Sequence, residues 1–277
     1  MVNERESGKA EFDGARAKLY EEAITEYPHA RDQDIVAMRR LLRLNEGNKV
    51  LGVGEGNGYF CQAITDAIGT SGWYTVTDPS RDQLSAIERR FPHLLVRPRG
   101  GIKRLDLIAE GAENLQSVGD NLYNRVWSFG AFHHCPDQTS AMKEIHRVLL
   151  PSGRAVICDV FQGSPLAQHF DSQVARYCVT GHEVKFLSKD FARTLCYLAG
   201  FDDSKIDIVD LPQKWSFDSE KDMGIFIYKL HAMTRLEGTD EEKIEQTLEG
   251  CRRILGIEKK SGKFLLNWPM KAIVATK

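Results

Sequence analysis

The sequence has no apolar run approaching the ~18 residues that a membrane-spanning helix needs. Its first residues, Met1-Val2-Asn3-Glu4-Arg5-Glu6, are polar with no apolar stretch behind them, so neither a membrane partner nor a secretory leader is expected. It lacks an excess of either charge: 37 Lys and Arg stand against 39 Asp and Glu, a formal net charge of −2. Nothing therefore advertises a nucleic-acid or anionic-membrane partner. It also lacks CxxC pairs. The six cysteines, Cys61, Cys135, Cys158, Cys178, Cys196 and Cys251, are scattered, which argues against a zinc knuckle or redox dithiol and fits a reducing cytoplasm. Repeats and low-complexity tracts are absent as well. What is present is an ordinary globular composition, 42% hydrophobic and 27% charged over 277 residues. That is enough for one large α/β domain with its own core.

Apolar periodicity divides the chain. Residues 1–47 carry helical spacing (Ile35, Met38, Leu41, Leu42) interrupted at Pro28, an N-terminal helical cap. Strands are predicted at 49–53, 73–77, 105–109, 125–129 and 155–160, with helices at 59–68, 81–90 and 138–149 between them. This alternation predicts a Rossmann-like, doubly wound, mostly parallel sheet, which binds ligands outside the C-terminal ends of its strands. A polar stretch, 162–183, has no clear pattern; a helix at 188–199 and a sixth strand at 205–209 follow. The core so defined runs over 48–210. Residues 211–269 read as a helical insertion with helices near 219–236 and 240–255, and 270–277 as the seventh and last strand.

Between the first strand and its helix lies Gly52-Val53-Gly54-Glu55-Gly56-Asn57-Gly58. Alternating glycines let the backbone turn sharply and approach a ligand, and the following helix N-terminus favours an anionic group. A dinucleotide fingerprint counted from Gly54 and Gly56 needs a third glycine at 59, where Tyr59 stands. Asp78, at the end of the second strand, can accept ribose hydroxyls, cap the helix at Arg81, or do both.

These blocks, followed by Ala112-Glu113-Asn114-Leu115, Phe129-Gly130-Ala131-Phe132-His133-His134-Cys135-Pro136-Asp137 and Glu144-Ile145-His146-Arg147-Val148-Leu149-Leu150-Pro151-Ser152-Gly153-Arg154, resemble the class I S-adenosylmethionine-dependent methyltransferases, in their small-molecule branch. The resemblance covers roughly residues 30–210. It implies S-adenosylmethionine as cofactor and a small-molecule acceptor methylated on oxygen or nitrogen. Gly54, Gly56 and Gly58 would hold the methionine end, Asp78 the ribose, Gly111 and Ala112 the adenine, with Ser128 and Phe129 beside the reactive methyl. Two positions depart from the pattern: the acids usual at the end of the first strand and at the adenine site are here Gly52 and Gly111. Glu55 and Glu110 stand beside them as candidate replacements, or as solvated surface residues.

By the same resemblance a histidine after strand four and an acid ending strand five form a general-base pair, here His133 with Asp159, and His134 in reserve. Cys135-Pro136 reverses the order used by pyrimidine-methylating enzymes, and no Asn/Asp-Pro-Pro-aromatic signature exists. No metal site is expected, on the ground that contiguous His133, His134 and Cys135 would not face one ion. The basic stretch 97–104 reads as a solvated loop or an anion contact. Tyr20 and Tyr27 are candidate site caps. The insertion, with Trp215, Phe217, Phe226 and Trp268, reads as a lid or as a homodimer contact. Two other functions stay open: a methyltransferase-like enzyme using its cofactor as scaffold for a cyclisation or rearrangement, and a non-catalytic protein on this fold.

Overall fold

The computed structural model describes residues 10–95 and 105–277. Its elements follow in chain order: α1 (Ala15–Glu26), α2 (Asp32–Leu42), β1 (Lys49–Val53), α3 (Cys61–Ile68), β2 (Trp73–Thr77), α4 (Arg81–Arg90), α5 (Pro92–Leu95), β3 (Leu105–Ile108), β4 (Tyr123–Phe129), α6 (Gln138–Val148) and β5 (Leu149–Asp159). After these come α7 (Pro165–His169), α8 (Ala175–Tyr177), α9 (Lys189–Ala199), β6 (Ile206–Phe217), α10 (Glu220–Leu230), α11 (Asp240–Ile254), β7 (Ile257–Lys260) and β8 (Lys263–Thr276). The sheet order is β3-β2-β1-β4-β5-β8-β6, with β7 paired to β8. The first five strands are parallel, and β8 runs antiparallel to its neighbours. The central strands are short apolar runs because helices cover both faces. One face packs α2 and α3, with Met38, Leu42, Ile64 and Ile68 in its core; the other packs α6 and α9, with Met142, Ile145, Leu195 and Cys196.

The sheet has eight strands, not the seven expected. The added strand comes from a two-residue hairpin at Ser261 (φ 51°) and Gly262 (φ 79°). Two successive positive φ values give a turn whose twist matches that of paired strands. Its strand β7 is almost wholly exposed and charged, so no apolar alternation announced it. The last two long strands also reach beyond the expected lengths: β6 and β8 pair continuously from Ile206↔Ala275 to Phe217↔Phe264, through both ends of the 211–269 segment. Leu211, Gln213, Trp215 and Phe217 alternate inward. Pro212 is tolerated because β6 lies at the sheet edge.

The helices around this sheet roof the strand ends. The last carbonyls of α2 accept from strand arginines, Leu42 O from Arg125 Nε at 2.6 Å and Leu41 O from Arg154 Nε at 2.7 Å. These are groups a helix end otherwise leaves unpaired. Helix α1 packs on α10, where Lys229 pairs with Glu26 at 2.6 Å and Glu22 at 3.1 Å. Within the stretch 162–183, residues 165–177 form a helix with a π turn at Phe170–Val174. Among the described residues no helix is long and apolar enough to cross a membrane.

Candidate functional site

Two connected cavities lie at the C-terminal ends of β1, β2 and β4. An outer cleft of about 360 Å³ is lined by Gly54, Glu55, Gly56, Asp78, Gln83, Gly111, Ala112, Glu113, Ser128 and Phe129, among others. An inner chamber of about 80 Å³ is walled by His133, His182, Phe170, Trp215, His231 and Trp268. Phe12, Tyr20, Arg31, Phe129, Gly130 and His134 line both.

The glycine loop is shaped as the sequence implied, with one exception. Gly54 has φ 65°, and a Cβ there would stand 2.7 Å from Ala131 Cβ. Gly56 has φ 73°, and its N–H donates to Asp78 Oδ2 at 3.0 Å. Gly58 instead faces away from the cleft: a Cβ would meet Ile87 at 2.9 Å and Phe91 at 3.1 Å, so this glycine lets α4 pack closely. Asp78 Oδ1 accepts from Ser80 N–H at 2.8 Å, and burial pushes its carboxyl up to about 6 against the pull of these two amides. Asp78 does not cap the helix; Ser80 does, its Oγ accepting from Gln83 N–H at 3.1 Å. Ser80 Oγ also donates to the segment before α1, to Phe12 O or Asp13 Oδ1, drawing that segment across the cleft.

Both positions that lack the usual acid are filled by other residues. A Cβ on Gly52 would meet Tyr74 Oη at 2.6 Å and Trp127 Nε1 at 3.3 Å. Glu55 turns inward to this region, accepts from Phe60 N–H at 3.1 Å, and is pushed by burial to about 8. At Gly111 a Cβ would stand 2.7 Å from Glu113 Oε1. Glu113, not Glu110, lines the cleft there. Glu110 is turned away and accepts from Ser117 N–H at 3.0 Å.

Beyond strand four, a 3₁₀ turn at Phe132–His134 places both histidines. Asp159 Oδ2 accepts from His133 N–H at 3.0 Å, and Oδ1 from His133 Nδ1 at 2.5 Å and from Val160 N–H at 2.6 Å. With Nδ1–H donating to the carboxylate, the lone pair lies on Nε2, which is buried without a partner beside the inner chamber. His134 Nδ1 contacts Glu11 Oε2 at 3.0 Å. Burial and the neighbouring His133 push His134 down to about 4. Glu11 is raised by burial, but His134 and Arg16 outweigh this and hold it near 2. His182 joins them: Lys185 N–H donates to His133 O at 3.3 Å, tying the 181–186 loop to the 3₁₀ turn. Burial and the adjacent imidazoles push His182 well below the usual histidine range. Tyr20 stands at the junction of the cavities; Tyr27 does not, packing on Phe217 and Phe226. Cys135 lines the cleft with its thiol pushed well up by burial, unsuited to nucleophilic use. The basic stretch 97–104 lies outside the described residues.

Glu11, Arg16, Glu113 and His182 were not legible as site residues. Glu113 had a signal, since it sits in the block after strand three. Arg16 and His182 come together only through the fold, where Arg16 donates to Thr180 Oγ1 at 2.6 Å.

Comparison with known proteins agrees with this geometry. Residues 51–157 match the family described as methyltransferase domain. Residues 51–157 therefore carry a methyltransferase domain. The chain is 31% identical over 137 residues to methyltransferase GfsG of Streptomyces halstedii, covering 50% of this chain and 46% of that protein. It is 26% identical over 155 residues to demethylmenaquinone methyltransferase of Bacillus velezensis, covering 56% and 62%. The chain thus spans about half to three-fifths of these relatives' lengths. In fold it is similar to phosphoethanolamine N-methyltransferase 2 of Haemonchus contortus, solved with S-adenosylhomocysteine, at TM-score 0.62 and 14% identity over 94% of this chain and 56% of that one.

The residues of this methyltransferase domain fit its cofactor, S-adenosylmethionine. Gln83 Oε1 and Nε2, Glu55 Oε2 and Trp127 Nε1 are buried around the cleft without hydrogen-bond partners, a pattern costly unless a polar ligand satisfies it. A carboxylate offers about four acceptor sites. Asp78 spends two on backbone amides, which leaves two for ribose hydroxyls. The cleft volume lies in the ~300–1,000 Å³ range usual for such ligands.

Proposed function

We propose that this protein methylates an oxygen or nitrogen of a small acceptor held in the inner chamber, with His133 accepting the acceptor's proton. The cofactor, when bound, supplies an electrophilic sulfonium methyl for in-line displacement. Gly54, Gly56, Asp78, Ala112 and Glu113 bind and orient it. Ser128, Phe129 and Gly130 form the passage towards the acceptor. His133 Nε2 takes the proton, while Asp159 holds the imidazole tautomer and steadies its charged form.

The observation that carries this reading is the orphaned His133 Nε2, in a residue that lines the chamber beside the cleft and is held by two hydrogen bonds to Asp159. Most of the rate would come from holding donor and acceptor together, with the base adding ~10²–10⁴-fold. The segment 211–269 acts as acceptor wall: Trp215, Leu230, His231 and Trp268 all line the chamber. Trp215 is stacked on Trp268 with ring centroids 3.8 Å apart. Arg31, over the Trp215 ring at 5.2 Å, is paired with Asp34 at 3.0 Å and does not offer a free charge. These walls suit a small, flat or apolar acceptor such as a phenol or aromatic amine. The scaffold reading drew on the missing acids, and Tyr74, Trp127 and Glu113 occupy those places. The test is a panel of small phenols and amines incubated with protein and S-adenosylmethionine, read by mass. Gain of one methyl with release of S-adenosylhomocysteine is expected. An acceptor consumed with unchanged mass would contradict transfer and support rearrangement.

A further inference from the structure

We propose that His133, His134 and His182 form a three-histidine site for a divalent first-row transition ion of the zinc or cobalt type. One ligand nitrogen from each lies within 4.8 Å of the others. The rings cluster accordingly, with centroids 4.2 Å apart for His133–His134, 5.1 Å for His134–His182 and 5.4 Å for His133–His182. Tetrahedral zinc with Zn–N near 2.0–2.1 Å needs nitrogens about 3.3 Å apart.

Two further observations point to an ion. Two of the imidazoles present one nitrogen to a carboxylate, His133 Nδ1 to Asp159 at 2.5 Å and His134 Nδ1 to Glu11 at 3.0 Å. Proteins orient metal-ligating histidines in this way, and it leaves Nε2 free. In addition, His133 Nε2 and both nitrogens of His182 are buried without a partner, in residues only 4% and 7% exposed. The surrounding charge suits a dication. Asp159 and Glu11 face the cluster; of the described cations that line the chamber, Arg16 is paired with Glu11 and Arg31 with Asp34. The sequence argument against a metal assumed that neighbouring histidines could not face one ion; the 3₁₀ turn brings both rings together, and His182 replaces Cys135 as third member. Three imidazoles leave a fourth position for a chamber occupant, the arrangement of an open site rather than a structural one.

The ion and the proposed proton transfer use the same His133 lone pair, so a given molecule does one or the other. The site itself does not depend on methyl transfer. The test is titration of tag-free, chelator-treated full-length protein with cobalt(II), followed by visible absorption, and with zinc(II) by calorimetry. One ion per chain is expected, with a tetrahedral-type cobalt spectrum. Affinity should fall at least 100-fold in His182→Ala and about 10–100-fold in Asp159→Asn, as loss of an orienting carboxylate does. S-adenosylhomocysteine binding by His182→Ala shows that the variant is folded. Absence of a bound ion, or binding that survives His182→Ala unchanged, overturns the site. A protein that methylates without binding an ion fails this inference alone; one that binds the ion but never transfers methyl fails the functional reading alone.

Discussion

Asp78→Asn isolates the contact that anchors the cofactor's ribose. In the free protein, the carboxylate accepts Gly56 N–H at 3.0 Å and Ser80 N–H at 2.8 Å. Asparagine keeps one acceptor oxygen, enough for one of these amides, but its NH₂ must then face either the other amide or the ribose. At least one charge-assisted hydrogen bond, worth ~1.5–3 kcal/mol, is lost. That corresponds to about 10- to 150-fold weaker binding. Calorimetry with S-adenosylhomocysteine at pH 8, where the wild-type carboxyl is ionised, reads it directly, with thermal melts confirming that both proteins are folded. The pH dependence supplies a second reading. Burial raises the Asp78 carboxyl from 3.8 to about 6, so below that pH the free protein carries it protonated and must release the proton to accept ribose hydroxyls. Wild-type affinity should fall about tenfold per pH unit below 6, and the variant should lack this slope. Affinities within threefold at pH 8, or equal slopes at low pH, would refute the ribose assignment.

Three further outcomes follow from the same geometry. Asp159→Asn should lower kcat ~10²–10⁴-fold while cofactor affinity by calorimetry stays unchanged; an unaffected kcat would remove His133 as base. Gly111→Ala should weaken cofactor binding with little change in Tm, because its Cβ meets only the mobile end of Glu113, at 2.7 Å; a large drop in Tm would show that the position is structural. Glu55 is raised by burial from 4.5 to about 8, so it favours the fold fully below 4.5 and that contribution is lost as pH rises towards 8. Glu55→Gln should therefore flatten the fall in thermal stability between those pH values, and a slope identical to wild type would contradict the burial argument.

The parallel half of the fold was legible because each element has one period and clear punctuation: the apolar run of β1, the glycines after it, the proline after α4. The later half was less so. The strand stretches that carry Trp215 in β6 and Trp268 in β8 fall inside 211–269, which read as a helical insertion because two helical patterns dominate it; Pro212 is tolerated in β6 because that strand lies at the sheet edge. β7 is nearly all exposed and carried no pattern. Gly54, Gly56, Asp78, Ser128 and Phe129 line the outer cleft, and His133 and Asp159, paired by the family resemblance, are hydrogen-bonded to each other. Local signals failed for Gly58, a packing residue, and for Glu110, because i to i+3 neighbours in a loop do not reveal which carboxylate turns inward. The His134–Glu11 contact and the approach of His182 join distant segments, so no spacing could show them.

The structure of the protein with S-adenosylhomocysteine bound tests the central assignment most directly. Ribose hydroxyls on Asp78, adenine beside Ala112 and Glu113, and sulfur at the Phe129 passage facing His133 and His134 are the predicted result. A ligand seated elsewhere, or one whose sulfur points away from the histidine chamber, would contradict it.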